Sequence, residues 1–340
     1  MRSPAFWDGP SLLSDILMPL GDLYAAGGWL RQRLATPKRV GVPVICVGNL
    51  VAGGAGKTPT VLTLLARLRT QGWQPAALTR GYGGRLAGPL RVDPAVHDAR
   101  TVGDEALLLA CSAPTWVARD RVAGADAAAA AGADLIVMDD GFQNPELIKD
   151  LSLLVVDGAS GFGNGRVIPA GPLREPVARG LARADALVIV GPDGRGIAQH
   201  AVGLPMLTAR LHPRGDTTLK GRRLIAFAGI GRPAKFFDTL SELGAELVGT
   251  AEFADHHRYS TAELDALADK AARSDASLIT TEKDARRLPP SHAGTIEVLP
   301  VELVFARPTQ LDRLIKDLLS DFMTGRSTPP LGSDQAAGDA

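Results

Sequence analysis

The feature that most constrains this chain is the run Gly53-Gly54-Ala55-Gly56-Lys57-Thr58, set between an apolar stretch at 42–47 and a helical pattern over 59–70. Glycines let successive backbone N–H groups turn inward around phosphate oxygens. A helix opening on such a turn adds a favourable dipole for the anion. Lys57 is then placed to reach the β and γ phosphates of ATP, and the Thr58 hydroxyl to ligate Mg2+. Val51 and Ala52 complete the loop. The bland alternative, a simple strand-to-helix turn, does not account for Gly-Lys-Thr in this position.

The surrounding pattern supplies the scaffold that such a loop needs. Apolar strand-like runs recur at 75–79, 135–138, 153–156 and 186–190, with helical patterns between them, including an Ala-rich one at 119–131. That alternation predicts an α/β fold of the P-loop NTPase type, built on a parallel sheet. The run at 135–138 ends in Asp139-Asp140. A carboxylate at the C-terminal edge of a parallel strand lies beside the phosphate loop, so Asp139 is a candidate Mg2+ ligand, with a turn-forming aspartate as the plainer reading.

The chain has 340 residues, long for one hydrophobic core, and a second α/β series starts at 223. It reads as strands at 224–228, 245–248 and 278–280, helices at 233–243 and 261–273, and a strand at 295–305 interrupted by Pro300. This organisation predicts an N-terminal helix region (1–35), a P-loop domain (36–203), a linker (204–222) carrying one connecting strand, a second, smaller α/β domain (223–325), and a disordered tail (326–340). The formal net charge is zero, so the whole chain offers no reason to expect nucleic acid as a partner. Cys46 and Cys111 are far apart in sequence and read as apolar-environment thiols of a reducing compartment. No apolar stretch reaches the ~20 residues a membrane span requires, and the body of the protein is expected to be cytosolic. Leu13, Ile16, Leu17, Leu20 and Tyr24 recur at helical spacing and are followed by Arg31, Arg33, Lys38 and Arg39. An apolar stripe with a basic end suits either a membrane interface or the protein's own core. Pro19 and Gly21 are expected to kink or split the helix.

The phosphate loop lacks the usual glycine five residues before Gly56, where Val51 stands, and is similar to the deviant P-loops of partition-type ATPases and signal-recognition GTPases. Across nearly the whole chain, however, the motifs resemble the tetraacyldisaccharide 4'-kinase family. They are Val47 to Leu50 with the phosphate loop, Arg80-Gly81-Tyr82-Gly83, Gly103-Asp104-Glu105, Asp139-Asp140-Gly141-Phe142-Gln143, Gly163-Asn164-Gly165 with PAGPLREP at 169–176, AFAGIGRP at 226–233, Asp255-His256-His257 and TTEKDA at 280–285. The family's patterns continue with His and Pro where this chain has Asn144 and Ala106.

The resemblance implies transfer of the ATP γ-phosphate to the 4'-hydroxyl of an acylated glucosamine disaccharide 1-phosphate, by a peripheral enzyme on the cytoplasmic face of a Gram-negative inner membrane. It favours a lipid-surface role for the N-terminal helix. It also implies an Asp–His pair, Asp104 and His256, although Asp104 also suits a helix N-cap and the two histidines an exposed loop. Glu105 is a candidate Mg2+ ligand or brace for Lys57. Arg174 and Arg80 are candidate phosphate-binding groups, with structural ion pairs as the alternative. Glu282, Lys283 and Asp284 are left between nucleotide contact and helix capping. The two domains are expected to stand open and to close His256 onto Asp104 when substrates bind. The competing function is a partition-type ATPase switch that transfers phosphate only to water, which would need the same loop and no second domain with Asp-His-His; a nucleotide-dependent binding module without turnover is a third.

Overall fold

The computed structural model describes residues 4–215 and 218–325; the tail expected at 326–340 lies outside them. In chain order the first part holds α1 (Leu12–Leu34), β1 (Val44–Gly48), α2 (Lys57–Thr70), β2 (Pro75–Thr79), β3 (Leu90–Arg91), α3 (Asp104–Ala110), β4 (Thr115–Val117), α4 (Arg121–Ala130), β5 (Leu135–Asp139), β6 (Leu151–Asp157), α5 (Val177–Leu181), β7 (Ala186–Val190) and β8 (Met206–Pro213). The second part holds β9 (Arg223–Ala228), α6 (Pro233–Glu242), β10 (Glu246–Glu252), α7 (Thr261–Arg273), β11 (Ser277–Thr281), α8 (Glu282–Ala285) and β12 (Glu297–Leu299), followed by β13 (Val301–Phe305) and α9 (Pro308–Thr324).

The strands form a nine-stranded sheet, ordered β13-β8-β7-β6-β1-β5-β2-β4-β3, and a four-stranded sheet, ordered β10-β9-β11-β12. The smaller sheet is parallel throughout, and the larger is parallel except where β3 meets β4 and β13 meets β8. Every residue of β1, β2, β5, β6 and β7 is buried. Such runs follow from covering a parallel sheet on both faces. One face packs on Leu64, Leu65 and Leu68 of α2 with Leu311, Ile315 and Leu318 of α9. The other packs on Ala125 and Ala128 of α4 and the chain around Leu50, Phe142 and Leu173.

The expected boundaries shift in one physically informative way. The stretch expected to be a linker contains β8, a full strand of the larger sheet paired to β7. Residues 301–324, expected in the second domain, return to the first: β13 pairs with β8 and α9 buries its apolar face against α2. Pro300 is the crossing point. It has no N–H to continue a ladder, and the strand before it belongs to one sheet while the strand after it belongs to the other. The second domain is thus enclosed between two neighbouring strands.

Helix α1 runs unbroken through Pro19 and Gly21, where a split was expected. Only Ser14 and Gly21 on it are buried. Ser14 donates from Oγ to the Ala170 carbonyl at 2.5 Å, and a Cβ at Gly21 would meet the Val167 carbonyl oxygen at 2.8 Å. Leu12, Ile16, Leu23 and Leu34 are 65–76% exposed. Among the described residues no helix is long and apolar enough to cross a membrane. Cys46 is buried as expected, while Cys111 is exposed.

Candidate active site

Both sheets present the C-terminal ends of their strands to one cleft. β1 ends at Gly48, where a side chain would strike Phe142 Cβ at 2.4 Å, so the strand runs tight against the loop after β5 before turning into the phosphate loop. Gly53 and Gly56 sit at φ +130° and +93°, a region that L side chains rarely occupy. Residues Ala52 to Pro59 line the cleft together with Glu105, Asp140, Arg174, Asp255, His256 and Lys283. Val51 stands behind the loop in a bridge to Leu173.

Lys57 lies 3.6 Å from Asp140 Oδ1. Asp140, held at φ +53°, accepts two bonds from the Arg174 guanidinium at 2.8 and 3.2 Å. Burial raises the Asp140 pKa, but Lys57 and Arg174 outweigh it and hold the carboxyl below the usual range. The brace on Lys57 is therefore Asp140 rather than Glu105. Arg174 is committed to that carboxylate, and Gln143 ties the same segment to Asn49 O at 2.9 Å.

Asp139 is fully buried at the end of β5, and Thr58 Oγ1 is 3.5 Å from its Oδ2. Its Oδ1 is buried with no hydrogen-bond partner. Burial first, and the nearby Glu105 charge second, push this carboxyl up to about 8. A buried carboxylate with an orphaned oxygen beside a hydroxyl fits an Mg2+ ion, which takes one or two protein ligands and completes its shell with phosphate and water. Among the described residues there is no cluster of three or more His, Cys, Asp or Glu side chains arranged for a metal. Glu105 is ion-paired with Lys283 at 3.1 Å.

The Asp–His contact spans the two domains. Asp104, the first residue of α3, is buried, and both its oxygens lie within 3.1 Å of His256 Nδ1. Burial raises the Asp104 pKa, but the His256 hydrogen bond and the Lys283 and Arg287 charges prevail and lower it. His256 sits at φ +59°, its N–H bonded to the Gly229 carbonyl at 3.0 Å. The expected open cleft is not what the structure shows: the second domain is already seated, with Gly231 against the Gly54 backbone and Arg232 and Lys235 both on Asp157 at the end of β6. His257 turns away, bonding Glu263 and stacking on Phe253.

Several residues at this cleft carried no assigned role in sequence. Asp140 stood beside Asp139 without one. Arg232, Lys235 and Asp157 line the cleft from either side. Asp284 is the hub beneath it, receiving bonds from the Tyr259 hydroxyl, Gly229 N–H and Arg287. The AFAGIGRP and TTEKDA segments carried the signal for Arg232 and for Asp284, the latter open between nucleotide contact and capping, whereas Lys235 and Asp157 lie outside every motif singled out. Arg80 is exposed and does not line the cleft. Of the two departures, Asn144 Oδ1 accepts from the Glu146 and Leu147 N–H groups, and Ala106 is buried inside α3.

A glycine-rich loop joining a buried central strand to a helix, with a carboxylate–imidazole pair closed over its mouth, places the chain in the class of P-loop kinases. The comparisons make this specific. The sequence profile described as Tetraacyldisaccharide-1-P 4'-kinase matches residues 13–320, and the chain belongs to that family. It is 58% identical over 328 residues to the tetraacyldisaccharide 4'-kinase of Rhodospirillum centenum, covering 94% of this chain and 97% of that one. It is 50% identical over 327 residues to the Rhodospirillum rubrum protein of the same name, covering 94% and 98%. The crystal structure of "apo" form LpxK from Aquifex aeolicus in complex with ATP superimposes with a TM-score of 0.74 at 28% identity, covering 90% of this chain and 99% of that one.

Proposed function

We propose that this chain transfers the γ-phosphate of ATP to the 4'-hydroxyl of a tetraacylated glucosamine disaccharide 1-phosphate. The observation that carries this reading is the Asp104–His256 pair at the mouth of the phosphate loop: a sugar hydroxyl is a poor nucleophile at neutral pH and needs a group to take its proton. The acceptor oxygen attacks the γ-phosphorus in line, the bond from phosphorus to the β–γ bridging oxygen breaks, ADP leaves, and the hydroxyl proton passes to the Asp104–His256 pair. Lys57 and the loop N–H groups hold the phosphates. Thr58 and Asp139 would hold Mg2+, which would supply neutralisation of charge developing on the phosphate oxygens. Asp140 and Arg174 fix where the Lys57 ammonium stands. Exposed Arg80 is left as a group for the acceptor's own phosphate.

The exposed apolar side chains of α1, with Arg31 and Arg33 in its last turn, support a peripheral lipid-surface role on the cytoplasmic face of the inner membrane. An acceptor with four acyl chains stays in the bilayer, so the enzyme must come to it.

Thin-layer separation of lipid extract after incubation with radiolabelled ATP tests the reaction. Label should move to a lipid spot only when the acylated disaccharide is present. ATP consumption indifferent to added disaccharide would instead indicate the partition-type switch.

A further inference from the structure

Lys283 is a cation at the cleft whose role neither the phosphate loop nor the Asp104–His256 pair explains. It is the second residue of α8, held over the site by the Thr281 cap on Asp284 N. Its Nζ lies 3.1 Å from Glu105 Oε1, 3.7 Å from Asp255 Oδ1 and 3.3 Å from His256 Nε2. Glu105 belongs to the first domain, and the histidine to the second.

The last of these contacts fixes a hydrogen. A lysine ammonium only donates. A ring nitrogen at hydrogen-bond distance from it must offer its lone pair, because an N–H there would place two donors head to head. Nε2 is therefore bare and the ring proton sits on Nδ1, where Asp104 accepts it. Asp255 is no rival partner, since its Oδ2 is 3.9 Å from Nε2, beyond hydrogen-bond reach. The left-handed backbone at His256 and the Tyr82 ring, 5.1 Å away, restrict how far the imidazole turns.

We propose that Lys283 is a positioning residue for phosphoryl transfer: by donating to Nε2 it holds His256 in the Nδ1–H tautomer that Asp104 requires. This rests on the kinase reading above only for its consequence; the tautomer itself is a property of the protein alone. Lys283 touches no reacting atom. It acts through the ring.

The test is nitrogen NMR of the full chain carrying 15N-labelled histidine, without acceptor, at a pH near 8, above the ordinary histidine range. His256 is identified among the six histidines by loss of its signals in His256→Gln. In the wild-type protein His256 should show a protonated Nδ1 and a bare Nε2; the opposite pattern overturns the proposal at once, with no variant needed. Lys283→Met should then yield the Nε2–H form or a mixture, and lower kcat by roughly 10–100-fold, as for other outer-shell partners of a functional histidine, with KM for ATP nearly unchanged. Lys283→Gln keeps a donor without the charge, so it should retain the Nδ1–H form and more of the activity. Equal tautomer loss in Met and Gln variants would reduce Lys283 to an ion-pair partner. Glu105→Gln, read for tautomer only, should leave Nδ1–H in place, and its loss there overturns the assignment even if both Lys283 variants fail to fold. An Nδ1–H signal present without lipid phosphorylation would fault the acceptor, not Lys283.

Discussion

The two α/β layers meet at one cleft but are built differently. In the larger sheet, the contributing groups sit on or beside central strands buried along their whole length: the loop after β1, Asp139 on β5 and Asp157 on β6. In the smaller sheet, β10 is half-exposed, and the contributing groups lie on short loops, Gly231-Arg232 and Asp255-His256, and on the one-turn helix α8, Glu282-Lys283. The first domain is a rigid holder for a polyanion. The second brings acid–base and orienting groups by loops that lean on the first through ion pairs. Groups on the first side should therefore govern whether phosphate is transferred at all, and groups on the second how fast.

Lys57→Ala attacks the holder and carries the largest expected effect. A cation removed from a transferring phosphoryl group costs roughly 10³–10⁵ in kcat. Near-normal turnover at saturating Mg-ATP would undo the contrast. Next comes His256→Ala, expected to lower kcat by roughly 10²–10⁴ while ATP binding, followed by a fluorescent nucleotide, stays close to wild type. His257→Ala should do far less. Combining His256→Ala with Asp104→Ala should cost much less than the product of the single losses, since groups acting as a unit are not additive; multiplicative losses would separate their jobs. Deleting residues 1–30 should move the protein from the pelleted to the soluble fraction with vesicles and raise the apparent KM for vesicle-borne acceptor, leaving ATP binding alone. Unchanged pelleting would place the lipid contact elsewhere.

The smallest effect concerns stability. The Asp139 pKa stands at about 8 in the fold, against an ordinary aspartate value of 3.8. Between those values the folded state binds more protons than the unfolded one, so this group makes the protein less stable as pH rises from about 4 to 8. In Mg2+-free buffer, Asp139→Asn should remove that decline and raise Tm at pH 8 by several degrees, at about 2–4 °C per kcal/mol. A variant that melts in parallel with wild type across this range would show Asp139 to be ionised already.

What was legible follows the same division. The phosphate loop, the buried strands and Asp139 announce themselves locally, because glycine spacing and unbroken apolar runs are short-range signals. The interruption at Pro300 was visible too, but not that it separates strands of two sheets. That depends on where the apolar face formed by Leu311, Ile315 and Leu318 finds its partner, a tertiary choice. Asp104 and His256 are 152 residues apart and became a pair only through family resemblance. Arg174 looked equally able to bind phosphate or to form an ion pair, and only the position of Asp140 decides. The seated contact between the domains was not legible because nothing in the composition reveals which ion pairs cross between them.

One segment described above sets a height. The stretch from Val167 to Arg174 offers the Val167 and Ala170 carbonyls to α1 at one end, and at the other bridges Val51 through Leu173 and grips Asp140 through Arg174. With α1 lying in a lipid interface, as proposed, this stretch is a spacer of fixed length between the membrane plane and the transferable phosphate. In that arrangement it would serve as a depth gauge: hydroxyls carried at one distance above the acyl chains would come level with the phosphate, and those held nearer or farther would pass it by.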